Sequence, residues 1–327
     1  MLPEHPTWFV LDASKIQEFM RCPRRFFYRY VLGWSATEAS VDLVFGSAWH
    51  EAMEVLLTEG YTPEAAANAY MRFEALYRAV FRPEHDIINA PKTPANAMRA
   101  LARYVTEYSN DLQTFDVLHV EVAGAVLIAP NKQIFYKTDA IVKDKATGTI
   151  YALEHKTTKS LTPRWTNQWR QKFQLGVYTH VLHCLFDPDI VTGVTVNGVQ
   201  ITNPPATKQD GTPRAGARDI EFRRVPVRLA RPRMADWLDN AEFYHDWIMS
   251  EFDNLAEADI DDPTLRAFPK CPEACGDYYG CPFLDYCCTY PNPLKVADKP
   301  PLNHTTDFWD PRSNQEKANE VLNVEPA

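Results

Sequence analysis

Apolar residues recur every three to four positions across six stretches, near residues 13–31, 47–58, 64–80, 94–113, 165–185 and 229–251, and this spacing predicts helices. Short apolar or alternating runs between them predict strands near 116–128, 133–143, 149–157 and 190–202, and IEFRRVPV at 220–227 reads as strand-like too. The mixture predicts an α/β fold, a central sheet flanked by helices, with a helical amino-terminal part. NPPATKQDGTPRAGARD at 203–219 is polar and carries Pro and Gly, which predicts a flexible hairpin or loop. Beyond Tyr290 several prolines and few apolar residues predict a mostly extended tail, with a short helix at 313–322.

Two of the strands carry the candidate chemistry. IFYKTDAIV holds Asp139, IYALEHKTT holds Glu154 and Lys156, and a turn built on Asp144, Lys145, Ala146, Thr147 and Gly148 joins them. Side chains alternate along a strand, so Glu154 and Lys156 emerge on one face, and the hairpin brings Asp139 within reach. Paired carboxylates suit Mg²⁺ or Mn²⁺, hard cations that activate water and offset phosphoryl charge. An ammonium beside them can orient the water and stabilise developing negative charge. Taken alone, E-x-K is more often an ordinary pair of surface charges.

Neighbouring helices add to the trio. VFGSAWHEAMEVLL places Gly46 one turn before His50, whose imidazole suits Mn²⁺ or a supporting hydrogen bond. HEAME has no second His four residues on, so the zinc-protease motif is absent. On RWTNQWRQKFQLGVYTHVLHCLF, Gln174 and Tyr178 are four apart and share a helix face, where they can hold a phosphate or a base. A lone helical His and a Gln–Tyr pair are each common in structural roles, so the ordered set carries the argument.

Length and charge narrow the classes. A chain of 327 residues that is 45% hydrophobic can bury a large core, and no apolar run approaches the ~20 residues of a membrane span. The net charge of −9 excludes indiscriminate binding of nucleic acid over the whole surface. Locally the balance reverses. Lys15, Arg21, Arg24, Arg25 and Arg29 interleave with aromatic residues around Cys22, and Lys159, Arg164, Arg170 and Lys172 follow the EHK strand, a pattern suited to a single-stranded polynucleotide. For most of the aromatics a core role is the expectation. MLPEHPTWFV shows no signal-peptide pattern, so a cytoplasmic, reducing compartment is expected and disulfides are not.

In chain order stand G-x-x-x-H (Gly46, His50), Asp139, E-x-K (Glu154, Lys156) and Q-x-x-x-Y (Gln174, Tyr178). This set resembles the RecB/AddB-like branch of the PD-(D/E)xK nuclease superfamily, which includes the iron–sulfur exonucleases of CRISPR adaptation, across roughly residues 10 to 290. Thr138 stands where the family often has Pro, and Glu121 resembles a further acidic residue found before the Asp strand. The resemblance implies a restriction-endonuclease-like core. It implies that His50, Asp139, Glu154 and the main-chain carbonyl of His155 hold Mg²⁺ or Mn²⁺, that Asp139, Glu154 and Lys156 form the catalytic set, and that Gln174 and Tyr178 hold substrate. The expected partner is DNA with single-stranded ends, in recombination, repair or phage DNA processing; the sequence leaves no mark of a helicase or recombination partner.

Seven cysteines complete the picture. Five crowd into one segment (Cys271, Cys275, Cys281, Cys287, Cys288), Cys22 lies far upstream, and Cys184 sits alone on a helix as a core residue. The resemblance implies one amino-terminal and three carboxy-terminal ligands to a [4Fe-4S] cluster, here Cys22, Cys275, Cys281 and Cys287. Cys271 and Cys288 are substitutes, because the C-x-x-C that usually opens the second run is missing. A Cys₄ zinc site is the alternative. A non-catalytic DNA-binding or scaffold subunit and an iron–sulfur electron carrier are rival functions, both disfavoured by the intact Asp, Glu and Lys. The corresponding organisation is a helical part at 1–115, a nuclease core at 116–252, a cluster segment at 253–290 and a tail at 291–327.

Overall fold

The computed structural model describes residues 2–205, 207–208, 210, 220–277 and 280–325. Most of the excursion expected at 203–219 lies outside the described residues. Among them run eight strands: β1 (Trp34–Ala36), β2 (Phe115–Ala129), β3 (Lys132–Asp144), β4 (Ile150–Thr158), β5 (Val191–Gln200), β6 (Glu221–Val227), β7 (His304–Thr306) and β8 (Glu320–Val321). Six form one mixed sheet in the order β6-β5-β4-β3-β2-β8, and β1 pairs with β7 separately. The α/β architecture read from the periodicity is the one observed.

Local chemistry explains the connections. Asn131, in the left-handed region at φ 62°, turns β2 into β3, as Asn readily does. The expected turn at 144–148 forms around Asp144. Its Oδ1 accepts from the Ala146 and Thr147 amides at 3.0 and 2.7 Å, and Gly148 takes φ 71°. β4 and β5 run parallel, so the chain must cross over between them, which it does through the Phe173–Leu185 helix.

Helices cover both faces of the sheet. The Val41–Glu59, Pro63–Val80 and Pro94–Glu107 helices bury Phe45, Trp49, Phe73, Tyr77 and Tyr104 together on one side. On the other, Phe173–Leu185, Ala13–Arg21 and Arg231–Ala256 enclose Phe19, Phe26, Trp237, Phe252 and Phe268. Two expected helices are interrupted. The one near 13–31 breaks at Cys22 (φ −161°), which precedes Pro23 and so avoids the helical region. The one near 165–185 breaks at Lys172 (ψ 121°), leaving Pro163–Asn167 and Gln168–Gln171 as short turns before Phe173. The helix near 94–113 ends at Glu107, and a separate turn spans Asp111–Thr114.

The far segment returns to the amino terminus through Arg24. Its buried guanidinium donates to the carbonyls of Phe268, Leu265 and Ala267 at 2.9, 2.8 and 3.2 Å, and its amide donates to Pro269 at 3.1 Å. The tail is more structured than its composition suggests. Only Ser313–Glu316 of the expected 313–322 helix is helical, and Glu320–Val321 becomes strand β8. Among the described residues no helix is long and apolar enough to cross a membrane.

Candidate metal centre and cysteine cluster

The sheet opens where its charges lie. β3 and β4 pair from Lys143↔Ile150 to Ala140↔Leu153 and then part, while β4 continues beside β5 to Thr158. In the gap the Asp139 side chain replaces the missing strand: its Oδ2 accepts the His155 amide at 2.6 Å. Extending that register sets Asp139 opposite Glu154, and the pairs Val120↔Ala140 and Val122↔Thr138 set Glu121 opposite Asp139 from the other side. Opposed residues on antiparallel strands share a face, so three carboxylates form a row across β2, β3 and β4.

Cations from three elements meet this row. His50, from the Val41–Glu59 helix, lies with Nδ1 2.9 Å from Asp139 Oδ1; Lys137 Nζ lies 2.6 Å from Glu121; Lys156 pairs with Glu154 Oε1. One ligand atom each from His50, Glu121 and Asp139 lie within 4.8 Å of one another. Glu154 is beside this trio with its second oxygen buried and without a hydrogen-bond partner. The His155 ring is held by Asn197, Nδ1 lying 3.2 Å from Asn197 Nδ2 while Asn197 also donates to Tyr104, and its centroid is 6.5 Å from that of the His50 ring.

Electrostatics follow from this crowding. Burial would raise the Asp139 carboxyl, but the adjacent His50, then His155 and Lys156, outweigh it and hold it below the usual range. Glu121 and Glu154 move the other way, raised by burial and by the charge of Asp139, against Lys137 and Lys156 respectively. His155 is pushed down to about 3, chiefly by burial, and stays neutral. Three carboxylates and one imidazole are a donor set that fits a hard divalent cation, with the Lys137 and Lys156 ammonium groups offsetting part of its negative charge, and an imidazole alongside oxygens suits Mn²⁺ as well as Mg²⁺.

Gln174 and Tyr178, expected to hold substrate, lie beside the carboxylates. Gln174 donates from Nε2 to the Tyr178 hydroxyl at 2.6 Å, and the phenol, 4% exposed, feels Glu154 and Asp139. Gly46 lies one turn before His50, but a Cβ there would meet nothing within 4 Å, so packing does not demand a glycine. Lys137, Asn197 and Tyr104 were not foreseen. The strand period offered a signal for Lys137, two residues before Asp139 and hence on its face; Asn197 and Tyr104 lie on other elements and left none.

At the carboxy-terminal end of the Ala13–Arg21 helix the cysteines gather. Cys22 is buried at the helix break and its sulfur accepts the Cys271 amide at 3.4 Å. The Cys281 amide donates to the Cys275 carbonyl at 3.0 Å, and Cys287 lies on the Leu284–Thr289 helix. Cys275, Cys281 and Cys287 each feel Cys22, their thiols are raised mainly by burial, and Lys270, Arg24 and Arg25 lie around them. Cys288 is exposed, and all seven cysteines are free thiols. Cys184 is half-buried and packs against the core as expected. Cys22 thus lies near Cys275, Cys281 and Cys287 with Lys270, Arg24 and Arg25 beside them, but among the described residues no three of the cysteine sulfurs lie within 4.8 Å of one another.

The chain belongs to the PD-(D/E)XK nuclease superfamily, which it matches over residues 11–288, and the fold above is accordingly restriction-endonuclease-like. That membership implies a metal-dependent nuclease, and a nuclease of this superfamily would act on DNA. Among solved structures, "Crystal structure of SSO0001" is similar at 14% identity, covering 75% of this chain and 77% of that one, with a TM-score of 0.29. No curated protein matches.

Proposed function

We propose that this protein is a DNA exonuclease of the RecB/AddB-like iron–sulfur branch, acting on single-stranded ends in recombination, repair or phage DNA processing. The observation that carries the reading is the row of Glu121, Asp139 and Glu154 at the opened β3–β4 edge, with His50 and Lys156 against it. His50, Asp139 and Glu154, with the His155 carbonyl and Glu121, would hold Mg²⁺ or Mn²⁺. A bound cation there supplies an acidified water and offsets charge on the phosphoryl group. Asp139 fixes the edge of β4 by accepting the His155 amide, and Glu154 aims Lys156. Lys156 orients the attacking water and donates to the developing oxyanion. Gln174 and Tyr178, already hydrogen-bonded to each other, grip the substrate phosphate or base.

Support for a polynucleotide partner comes from the ground near Lys172. A cavity of about 270 Å³ is lined by Arg170, Lys172, Arg233 and Asn240 over the buried Trp169, Phe173 and Trp237, and Lys172 lies in the field of Lys156 and Arg21. Its cations can accept phosphates. Cys22, Cys275, Cys281 and Cys287 would hold a [4Fe-4S] cluster that staples the 253–290 segment to the helical part at 1–115 and leaves the nuclease core at 116–252. A zinc site predicts a colourless protein, and the cluster a brown one.

The test uses end-labelled linear single strands, circular single strands and duplex of one sequence, each with Mg²⁺ and with Mn²⁺. Stepwise shortening of the linear strand with the circle left intact is expected. Equal cleavage of the circle overturns the exonuclease assignment.

A further inference from the structure

The residues that close the β2 edge lie outside the span matched by the superfamily, which ends at 288. There a strap from Asn319 to Val324 runs along β2 and ties itself to it repeatedly. β8 pairs in parallel with Val122 and Ala123, the Leu322 amide donates to Ala123 at 2.9 Å, and the Val324 amide donates to Ala125 at 2.9 Å. Tyr136 on β3 donates its hydroxyl to the Leu322 carbonyl at 2.7 Å. A Cβ on Gly124 would stand 1.7 Å from that carbonyl oxygen, so only glycine lets the strap seat.

The strap begins at the metal centre. The Asn319 amide donates to the Glu121 carbonyl at 2.9 Å, and its side chain donates to Glu54 at 2.8 Å, on the helix that carries His50. Glu121 itself has φ 53°, a left-handed conformation uncommon for a residue with a side chain, in the middle of a strand. Such a residue persists only where its surroundings over-determine it. Here β3 holds one edge of β2 and the strap holds the other, on either side of a carboxylate that is 5% exposed and within 4.8 Å of His50 and Asp139.

We propose that the Asn319–Val324 strap is a positioning element for the metal centre: it holds Glu121 in its left-handed conformation and thereby makes Glu121 a ligand of the divalent cation. The proposal rests on the metal reading above and adds to it an element outside the superfamily domain. Partners that orient a metal ligand typically contribute ~10–100-fold to metal affinity.

The full-length chain serves for the test, with Mn²⁺ affinity measured by calorimetric titration in the absence of DNA. Gly124→Ala, which blocks the strap at Leu322, and Asn319→Pro, which removes the amide held by Glu121, are each expected to weaken Mn²⁺ binding by ~10–100-fold. Glu121→Gln is expected to weaken it comparably, and adding Asn319→Pro to Glu121→Gln to weaken it little further, because both changes act on one ligand. Should either strap variant fail to fold, the other carries the comparison. Wild-type affinity in the strap variants, or effects that multiply fully with Glu121→Gln, overturns the proposal. Wild-type affinity in Glu121→Gln overturns the assignment of Glu121 as ligand, and the strap's role with it, while leaving His50 and Asp139 as ligands.

Discussion

Lys156 owes its aim to Glu154, two residues before it on the same strand face, and both stand beside the His50, Glu121 and Asp139 trio that a cation would complete. Replacing Lys156 by Ala is expected to lower the cleavage rate by ~10²–10³ while Mn²⁺ affinity holds within a few-fold, because the ammonium acts on water and phosphate rather than on the metal. Steady-state cleavage and calorimetry on the same preparation check this. At a second residue, burial lowers the Lys92 ammonium to about 8, against the pull of Asp42, although it donates to Thr157 at 2.8 Å beside the catalytic strand end. Its folded value lies below its unfolded one, so the penalty is full below pH 8 and is relieved as pH rises toward 10.5. Wild-type stability relative to Lys92→Met is therefore expected to rise across that window in urea titrations; parallel curves would contradict it. Asp139, Glu154, Lys156 and His50 were legible in the sequence because strand and helix periods fix which residues share a face. Glu121 was only faintly legible. Its place in the trio depends on a left-handed backbone that no side-chain pattern announces.

At the scale of elements, strands and helices were legible where the apolar period runs long, and poorly so at their ends. The breaks at Cys22 and Lys172 fall inside periodic stretches; Pro23 sets the first locally, whereas no local signal marks the second. β1, β7 and β8 are three, three and two residues long. Strands so short draw their stability from the edge they join, and sequence alone does not show that edge. One contact tests how the flanking helices hold the site. A Cβ on Gly176 would lie 2.1 Å from Trp237 Nε1, so Gly176→Ala must push the Arg231–Ala256 helix away from the helix that carries Gln174 and Tyr178. The expected cost is ~1–3 kcal/mol of stability, read by thermal or denaturant unfolding.

Across the whole molecule, Arg24 and the cysteines are among the contacts that join distant stretches of chain. Arg24 is 2% exposed and satisfies three carbonyls between Leu265 and Phe268, so Arg24→Met leaves buried acceptors unpaired. A loss of ~3 kcal/mol is expected, with the 253–290 segment cut first in limited proteolysis. The same segment should become protease-sensitive in Cys22→Ser, with loss of brown colour if the thiols hold iron and sulfide. The convergence of Cys22 on a segment some 250 residues away was legible only through the resemblance, since spacing by itself leaves pairings open.

If the carboxylate row at the opened β3–β4 edge is a nuclease centre, wild type with Mn²⁺ shortens end-labelled single-stranded DNA, Lys156→Ala retains Mn²⁺ binding but loses ~10²–10³ in rate, and Asp139→Ala loses both. Wild-type cleavage by either variant would contradict that assignment.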